Sequence, residues 1–283
     1  MTAAPEAVAA ELLPLLRKMC AGEYGIAIGG SHSKGSSDAL SDVDVYLFAR
    51  EVLPGAERAL RVAAALGCEA ASWGRDVPFV EGGTDFVYRG QRVECWLRNP
   101  ERVEATIAAC REGRIQRDLV VWTVMGFFNY VVLADVRAMR DVEDPYGFLG
   151  RWKEETGSYP ERLRSAVVGR FMEEASFWPE NFHYATAVER ADVFYTSGIV
   201  QQVVQALIQV IFALNREYFP GEKKVAYALS ALPVQPRGFA ARAQGLIAPG
   251  KSPDVAQLRE QRRELGALVA EVAGLVAECG VTR

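Results

Sequence analysis

The stretch from Ile26 to Phe48, IAIGGSHSKGSSDALSDVDVYLF, constrains this chain more than any other. Ile26, Ala27 and Ile28 make a short apolar run that ends in Gly29, Gly30 and Ser31. A small polar segment follows, and then Asp42-Val43-Asp44-Val45 runs into Tyr46, Leu47 and Phe48. The pattern predicts strand, Gly-rich turn, short helix, strand. Residues two apart on a strand point to one face, so Asp42 and Asp44 project together and Val43 and Val45 project to the other side. Two adjacent carboxylates repel each other and call for a cation between them. Gly30 lets the backbone approach a ligand, and a helix opening at Ser31 would aim free amides at an anion.

Gly29-Gly30-Ser31, then Ser41-Asp42-Val43-Asp44 ahead of an apolar run, resembles the signature of the DNA-polymerase-beta-like nucleotidyltransferases. The resemblance covers roughly two dozen residues, with both halves at the family's spacing, and context gives it weight that a lone Asp-x-Asp lacks. It implies in-line attack by a hydroxyl on the α-phosphate of a nucleoside triphosphate, assisted by two Mg2+ ions held on carboxylates. Asp42 and Asp44 match the first two acids. Glu94, a charged residue between apolar neighbours in Val93-Glu94-Cys95-Trp96, is the leading third acid, and Asp85 is the reserve. Ser31 matches the family serine that helps hold the triphosphate, with Gly29 and Gly30 forming the turn. Lys34 lies where some antibiotic-modifying members place a phosphate contact.

The chain has 283 residues, half of them hydrophobic, and a net charge of −4. An acidic surface repels nucleic-acid backbones, so no broad electrostatic binding to DNA or RNA is expected. Five scattered cysteines without a Cys-x-x-Cys pair fit a reducing cytosol, and with two histidines no zinc site is expected. The N-terminus carries glutamates and a proline rather than a basic start, so it is not read as a signal peptide. Val120 to Leu133 is too short to span a bilayer and reads as buried core. These features predict a cytoplasmic protein with no membrane partner.

Pro5 to Cys20 and Pro54 to Leu66 read as helices on a sheet, and Trp73 to Val80 as irregular or extended, interrupted at Pro78. Thr84–Tyr88 and Arg92–Leu97 form a hairpin by composition, and Glu101 to Cys110 is helical again. From about Ile115 the pattern turns helical, with Met139 to Tyr146 as a connector, a helix after Tyr159-Pro160, one or two helices over Thr186 to Asn215, and a last helix from Val255 to Cys279. The expected fold is α+β: a nucleotidyltransferase mixed sheet with flanking helices over residues 1–114, then an α-helical bundle over 115–283 that binds substrate. In the second half, Gln202, Gln205 and Gln209 form a polar stripe on an apolar helix, suited either to a polar substrate or to bonds between helices. The segment ending Pro220-Gly221-Glu222-Lys223-Lys224 resembles one in helical C-terminal domains of bacterial nucleotidyltransferases. There a lysine after Pro-Gly opens the next helix, so Lys223 or Lys224 would contact the triphosphate. Glu189 and Asp192, three apart, would share a helical face, and Asp192 is the favoured general base, with Glu94 as an assistant.

The leading reading is transfer of AMP from ATP to a hydroxyl of a small molecule. Its sharpest version is an aminoglycoside-like antibiotic, because a cationic acceptor suits an acidic cleft, and antibiotic resistance would be its consequence. Two alternatives stand beside it: a toxin-like enzyme acting on tRNA or protein, and a nucleotide-binding protein without catalysis. Basic residues cluster only moderately, at Arg111 to Arg117 and Arg259 to Arg263, each mixed with acids, which weighs against the tRNA reading.

Overall fold

The computed structural model describes residues 4–77, 80–250 and 253–281. It divides into two compact units, one of 4–109, 116–118 and 128–158 and one of 110–115, 119–127 and 159–281. The architecture is α+β, a mixed sheet with flanking helices followed by a helical region.

The first unit begins with α1 (Pro5–Leu16), which has proline in its first turn, where no amide partner is needed. A 3-10 turn over Arg17–Met19 leads to β1 (Cys20–Ile28), a four-residue α2 (Gly30–Ser33) and β2 (Val43–Val52). Then come α3 (Gly55–Leu66), β3 (Ala70–Val77), β4 (Val80–Tyr88), β5 (Gln91–Arg98) and α4 (Pro100–Arg111). The unit is completed by α5 (Tyr130–Ala138), β6 (Arg140–Glu143) and α6 (Phe148–Thr156). The strands form one six-stranded sheet in the order β3-β4-β5-β2-β1-β6. β2 and β5 run parallel and the other neighbours antiparallel.

Alternation along β2 and β5 sorts the side chains. Val43, Val45, Leu47, Val93, Cys95 and Leu97 join Val8, Leu12 and Val62 in one apolar core, so α1 and α3 cover that face. The opposite face carries Asp44, Tyr46 and Phe48 on β2 and Glu94, Trp96 and Arg98 on β5. Phe48 meets Trp152 of α6 edge-to-face with ring centroids 5.3 Å apart, so α6 seals the downstream end of this face. Asp44 lies at the upstream end.

Several expectations are corrected. The 1–114/115–283 boundary does not coincide with the division of the folded chain, because 128–158 belongs to the first unit. Met139 to Tyr146 contains the edge strand β6, paired to β1, rather than a plain connector. An edge strand of four charged or polar-flanked residues has no alternation to reveal it, and charge on such an edge discourages pairing with another chain. Trp73 lies in strand β3, which agrees with the extended alternative for this stretch, and Pro78 lies outside the described residues. The apolar run at Val120 is not one buried segment: α5 starts only at Tyr130, and Val121 and Val124 are exposed.

The second unit contains α7 (Glu161–Ser176), α8 (Phe182–Glu189), α9 (Val193–Leu214), α10 (Val225–Ser230), α11 (Phe239–Ile247) and α12 (Val255–Glu278). α9 is its central helix, with α7, α8, α11 and α12 packed against it. By length and composition α9 could cross a membrane, but 72% of its apolar window is buried within the chain. Its N-cap is Asp192, and α12 starts with a capping box in which Asp254 and Gln257 bond reciprocally.

Candidate functional site

The turn between β1 and β2 is fixed by hydrogen bonds back to β2. The Gly29 amide donates to the Asp44 carbonyl (2.9 Å), and the Gly30 amide donates to the Tyr46 hydroxyl (3.1 Å). Both glycines are required by what lies beside them. A Cβ on Gly30, whose φ is +57°, would sit 1.7 Å from Asp44 Oδ2, and a Cβ on Gly29 would enter the Tyr46 ring at 2.0 Å. From the sequence these glycines are expected to let the backbone approach a phosphate. Here the space they leave is taken by Asp44 and Tyr46. Ser31 sits half-buried in the first turn of α2.

Asp44 and Glu94 are direct register partners on the parallel strands β2 and β5, and Asp85 on β4 is the antiparallel partner of Glu94. Asp42 precedes β2 and shares the face of Asp44. Sheet geometry therefore brings Asp42, Asp44, Glu94 and Asp85 to one face of adjoining strands. Burial, followed by the charges of Glu94, Asp135 and Asp42, pushes the Asp44 carboxyl up to about 7, against the pull of Lys34. Asp85 is also raised by burial, opposed by a hydrogen bond from the Trp73 indole N–H (3.2 Å) and the charge of Arg92.

Asp135, which the sequence pattern does not single out, is tied to this turn through Lys34. It is 4% exposed on α5 and takes two cations: Lys34 Nζ at 2.7 Å and Arg98 Nη2 at 2.6 Å. Burial works against its ionisation, but Lys34 and Arg98 outweigh burial and hold its carboxyl below the usual range. Arg98, 3% exposed, also places its guanidinium 4.4 Å from the centre of the Tyr46 ring. Gly30, Tyr46, Arg98, Asp135 and Lys34 thus form one connected network that ties the turn to α5. The sequence signal for Asp135 was a lone acid in the apolar run Tyr130–Val136, the same kind of signal that Glu94 gave. Lys34, expected at a phosphate, is ion-paired to Asp135 in this structure.

The acid set offers oxygen donors alone, which suits a hard divalent cation such as Mg2+. Burial and the neighbouring acids that lift Asp44 to about 7 would be offset by the charge of such an ion. Among the described residues, however, no group of three or more His, Cys, Asp or Glu side chains is gathered ready to hold a metal. Arg92 stands among these acids, its Nη2 3.3 Å from Glu94 Oε1 and its Nε 4.0 Å from Asp42 Oδ2. Strand register sets Asp44 opposite Glu94, and the Arg92 guanidinium lies within 4.0 Å of Glu94 and Asp42.

The remaining predicted residues lie in the second unit. Glu189 ends α8 and is ion-paired with Arg259 of α12, while Asp192 caps α9 by accepting from the Tyr195 amide (3.2 Å). The pair was expected on one helical face. Instead Arg190 to Asp192 break the chain between two helices, with Ala191 at φ +52°. Lys224 stands at the N-cap of α10 with φ +57°, and Lys223 is exposed before it. Glu222 is turned away from this pair's role and accepts from the Val124 (2.7 Å) and Met125 (2.5 Å) amides. Gln209 is buried, and Gln202 and Gln205 are half-buried on α9.

Residues 131–224 match the model of a family described as a domain of unknown function (DUF4037). That match begins one residue into α5, includes Asp135 and ends at Lys224. No curated protein matches this chain. A solved structure described as a nucleotidyltransferase-like protein from Exiguobacterium sibiricum is similar at a TM-score of 0.44 and 8% identity, over 97% of this chain and 77% of that one.

Proposed function

We propose that the chain is a nucleotidyltransferase that moves a nucleoside monophosphate from a nucleoside triphosphate, ATP in the first instance, to a hydroxyl of a small molecule. The observation that carries this reading is the acidic face set by strand register: Asp42 and Asp44 side by side, with Glu94 directly across from Asp44. In the reaction the acceptor oxygen bonds to the α-phosphorus, the bond from that phosphorus to the bridging oxygen breaks, and pyrophosphate leaves. Asp42, Asp44 and Glu94 would hold Mg2+, which supplies charge stabilisation at the attacking and leaving oxygens when bound.

The other residues bind, orient and move the proton. Gly29, Gly30 and Ser31 set the turn beside Asp44, and Lys34, steadied by Asp135, would balance triphosphate charge there. Lys223 and Lys224 are assigned to the triphosphate and Asp192 to the proton of the acceptor hydroxyl, with Glu94 as the reserve base. An acid-rich face favours a cationic acceptor, which makes an aminoglycoside-like antibiotic the first class to try.

The test is incubation with each nucleoside triphosphate labelled at the α-phosphate, Mg2+ and a library of hydroxylated acceptors. Label transferred to a small acceptor, with matching pyrophosphate, is expected. Label transferred only to tRNA or to protein would replace the acceptor assignment. No label transferred from any triphosphate would overturn the reading.

A further inference from the structure

Arg92 and Glu94 are two apart on β5 and so share a face. The parallel register pairs Val43 with Val93 and Asp44 with Glu94, which sets Arg92 beside Asp42. The result is a square on two strands, with three acids and one guanidinium at its corners. Asp85 flanks it from β4 as the antiparallel partner of Glu94. Strand pairing places Asp44 and Glu94, Arg92 lies two residues before Glu94 on β5, and Asp42 stands one residue before β2. The side-chain distances agree with it: Arg92 reaches Glu94 at 3.3 Å and Asp42 at 4.0 Å.

The Arg92 side chain is 59% exposed. Its stem therefore supports no core, and its head can leave the acids without unpacking anything. An ordinary surface ion pair involves one acid and contributes little. Here the guanidinium spans two carboxylates assigned above to a divalent ion, and no three acids are gathered for metal among the described residues.

We propose that Arg92 is a displaceable counter-cation of this site. In the absence of metal its guanidinium bridges Asp42 and Glu94, and a divalent ion must compete with it for both. Once displaced, the guanidinium is left two residues from Glu94 as a fork-shaped donor suited to a phosphate of the incoming triphosphate. Metal binding and nucleotide binding are thereby coupled through one side chain. The inference rests on the reading of Asp42, Asp44 and Glu94 as metal ligands.

The experiment is calorimetric titration of the full chain with Mn2+ alone, and then with ATP at saturating Mn2+, for wild type, Arg92→Gln, Arg92→Lys and Asp44→Asn. Arg92→Gln is expected to bind Mn2+ about two- to fivefold more tightly, the range for losing a partly exposed competing charge. It should bind ATP more weakly, because a phosphate donor is lost. Arg92→Lys should stay within about twofold of wild type for Mn2+ and still bind ATP less well, since a lysine keeps the charge but not the fork. Unchanged or weaker Mn2+ binding by Arg92→Gln, with Asp44→Asn binding lost, overturns the role of Arg92 alone. Absence of Mn2+ binding by wild type, or full binding by Asp44→Asn, overturns the metal assignment and the inference with it.

Discussion

Replacing Asp44 by asparagine separates the charge of the site from its shape. Burial, then Glu94, Asp135 and Asp42, raise this carboxyl from 3.8 to about 7, with Lys34 pulling the other way. A carboxyl whose pKa is higher in the folded chain than in the unfolded one binds its proton more tightly when folded. Its contribution to stability is therefore fully present below the unfolded value near 4 and is lost as the pH rises through about 7. The difference between 3.8 and about 7 is roughly three units, and each unit corresponds to about 1.4 kcal/mol. Ionised Asp44 then costs on the order of 4 kcal/mol at pH 8, reduced to about 2–4 because the side chain is only partly shielded from solvent.

Asparagine has nearly the same volume and does not titrate. Urea unfolding of both proteins, in chelator and at pH 4.5 and pH 8, reads the difference directly. At pH 8 the Asp44→Asn variant should be more stable by about 2–4 kcal/mol, and at pH 4.5 the two should agree within about 1 kcal/mol. Adding Mg2+ at pH 8 should then stabilise wild type and leave the variant unchanged. A variant less stable than wild type at pH 8, or a gap independent of pH, would refute the electrostatic account of the site.

Further outcomes follow from the surrounding geometry. Asp135→Asn leaves the Arg98 guanidinium buried with its partner's charge removed, so unfolding should show a loss of about 3–5 kcal/mol, whereas exposed Lys223→Ala should change stability by less than about 0.5 kcal/mol. Tyr46→Phe removes the acceptor of the Gly30 amide, and a stability loss of about 1–2 kcal/mol is expected by the same measurement. Asp192→Asn preserves the α9 cap, since asparagine caps as well as aspartate, so its melting temperature should hold while turnover at saturating acceptor falls if Asp192 is the base. Ser31→Ala, Lys223→Ala and Lys224→Ala should each weaken nucleotide affinity in a binding titration more than acceptor affinity. Unchanged nucleotide affinity in all three would remove the phosphate assignment.

The parts of the site carried by short-range pattern were legible in the sequence. The short apolar run at Ile26–Ile28, the Gly-Gly-Ser turn and the Asp-Val-Asp-Val alternation mark the end of β1, α2 and the start of β2, and an acid between Val93 and Cys95 marks Glu94. Parts set by long-range contact were not legible. Asp135 joins the candidate site through partners distant in sequence, and nothing near position 135 says that Lys34 and Arg98 will meet it. Arg92 reads as one arm of a hairpin until the parallel register with β2 places it beside Asp42. Gly29 and Gly30 were legible as a turn, but Asp44 and Tyr46 as the groups that fill their missing side chains were not. β6 is not legible because its four residues hold a single apolar position, Val142, too few to show alternation.

The central claim is that the acids on this face drive phosphoryl chemistry. The most direct measurement of it is pyrophosphate release from ATP with Mg2+ and a responsive acceptor, compared among wild type, Asp42→Asn, Asp44→Asn and Glu94→Gln, each first shown to be folded. Release by wild type should fall about a hundredfold or more in the two aspartate variants, as expected for groups acting on the transition state, and substantially in Glu94→Gln. Near-full release by Asp42→Asn or Asp44→Asn would contradict the account.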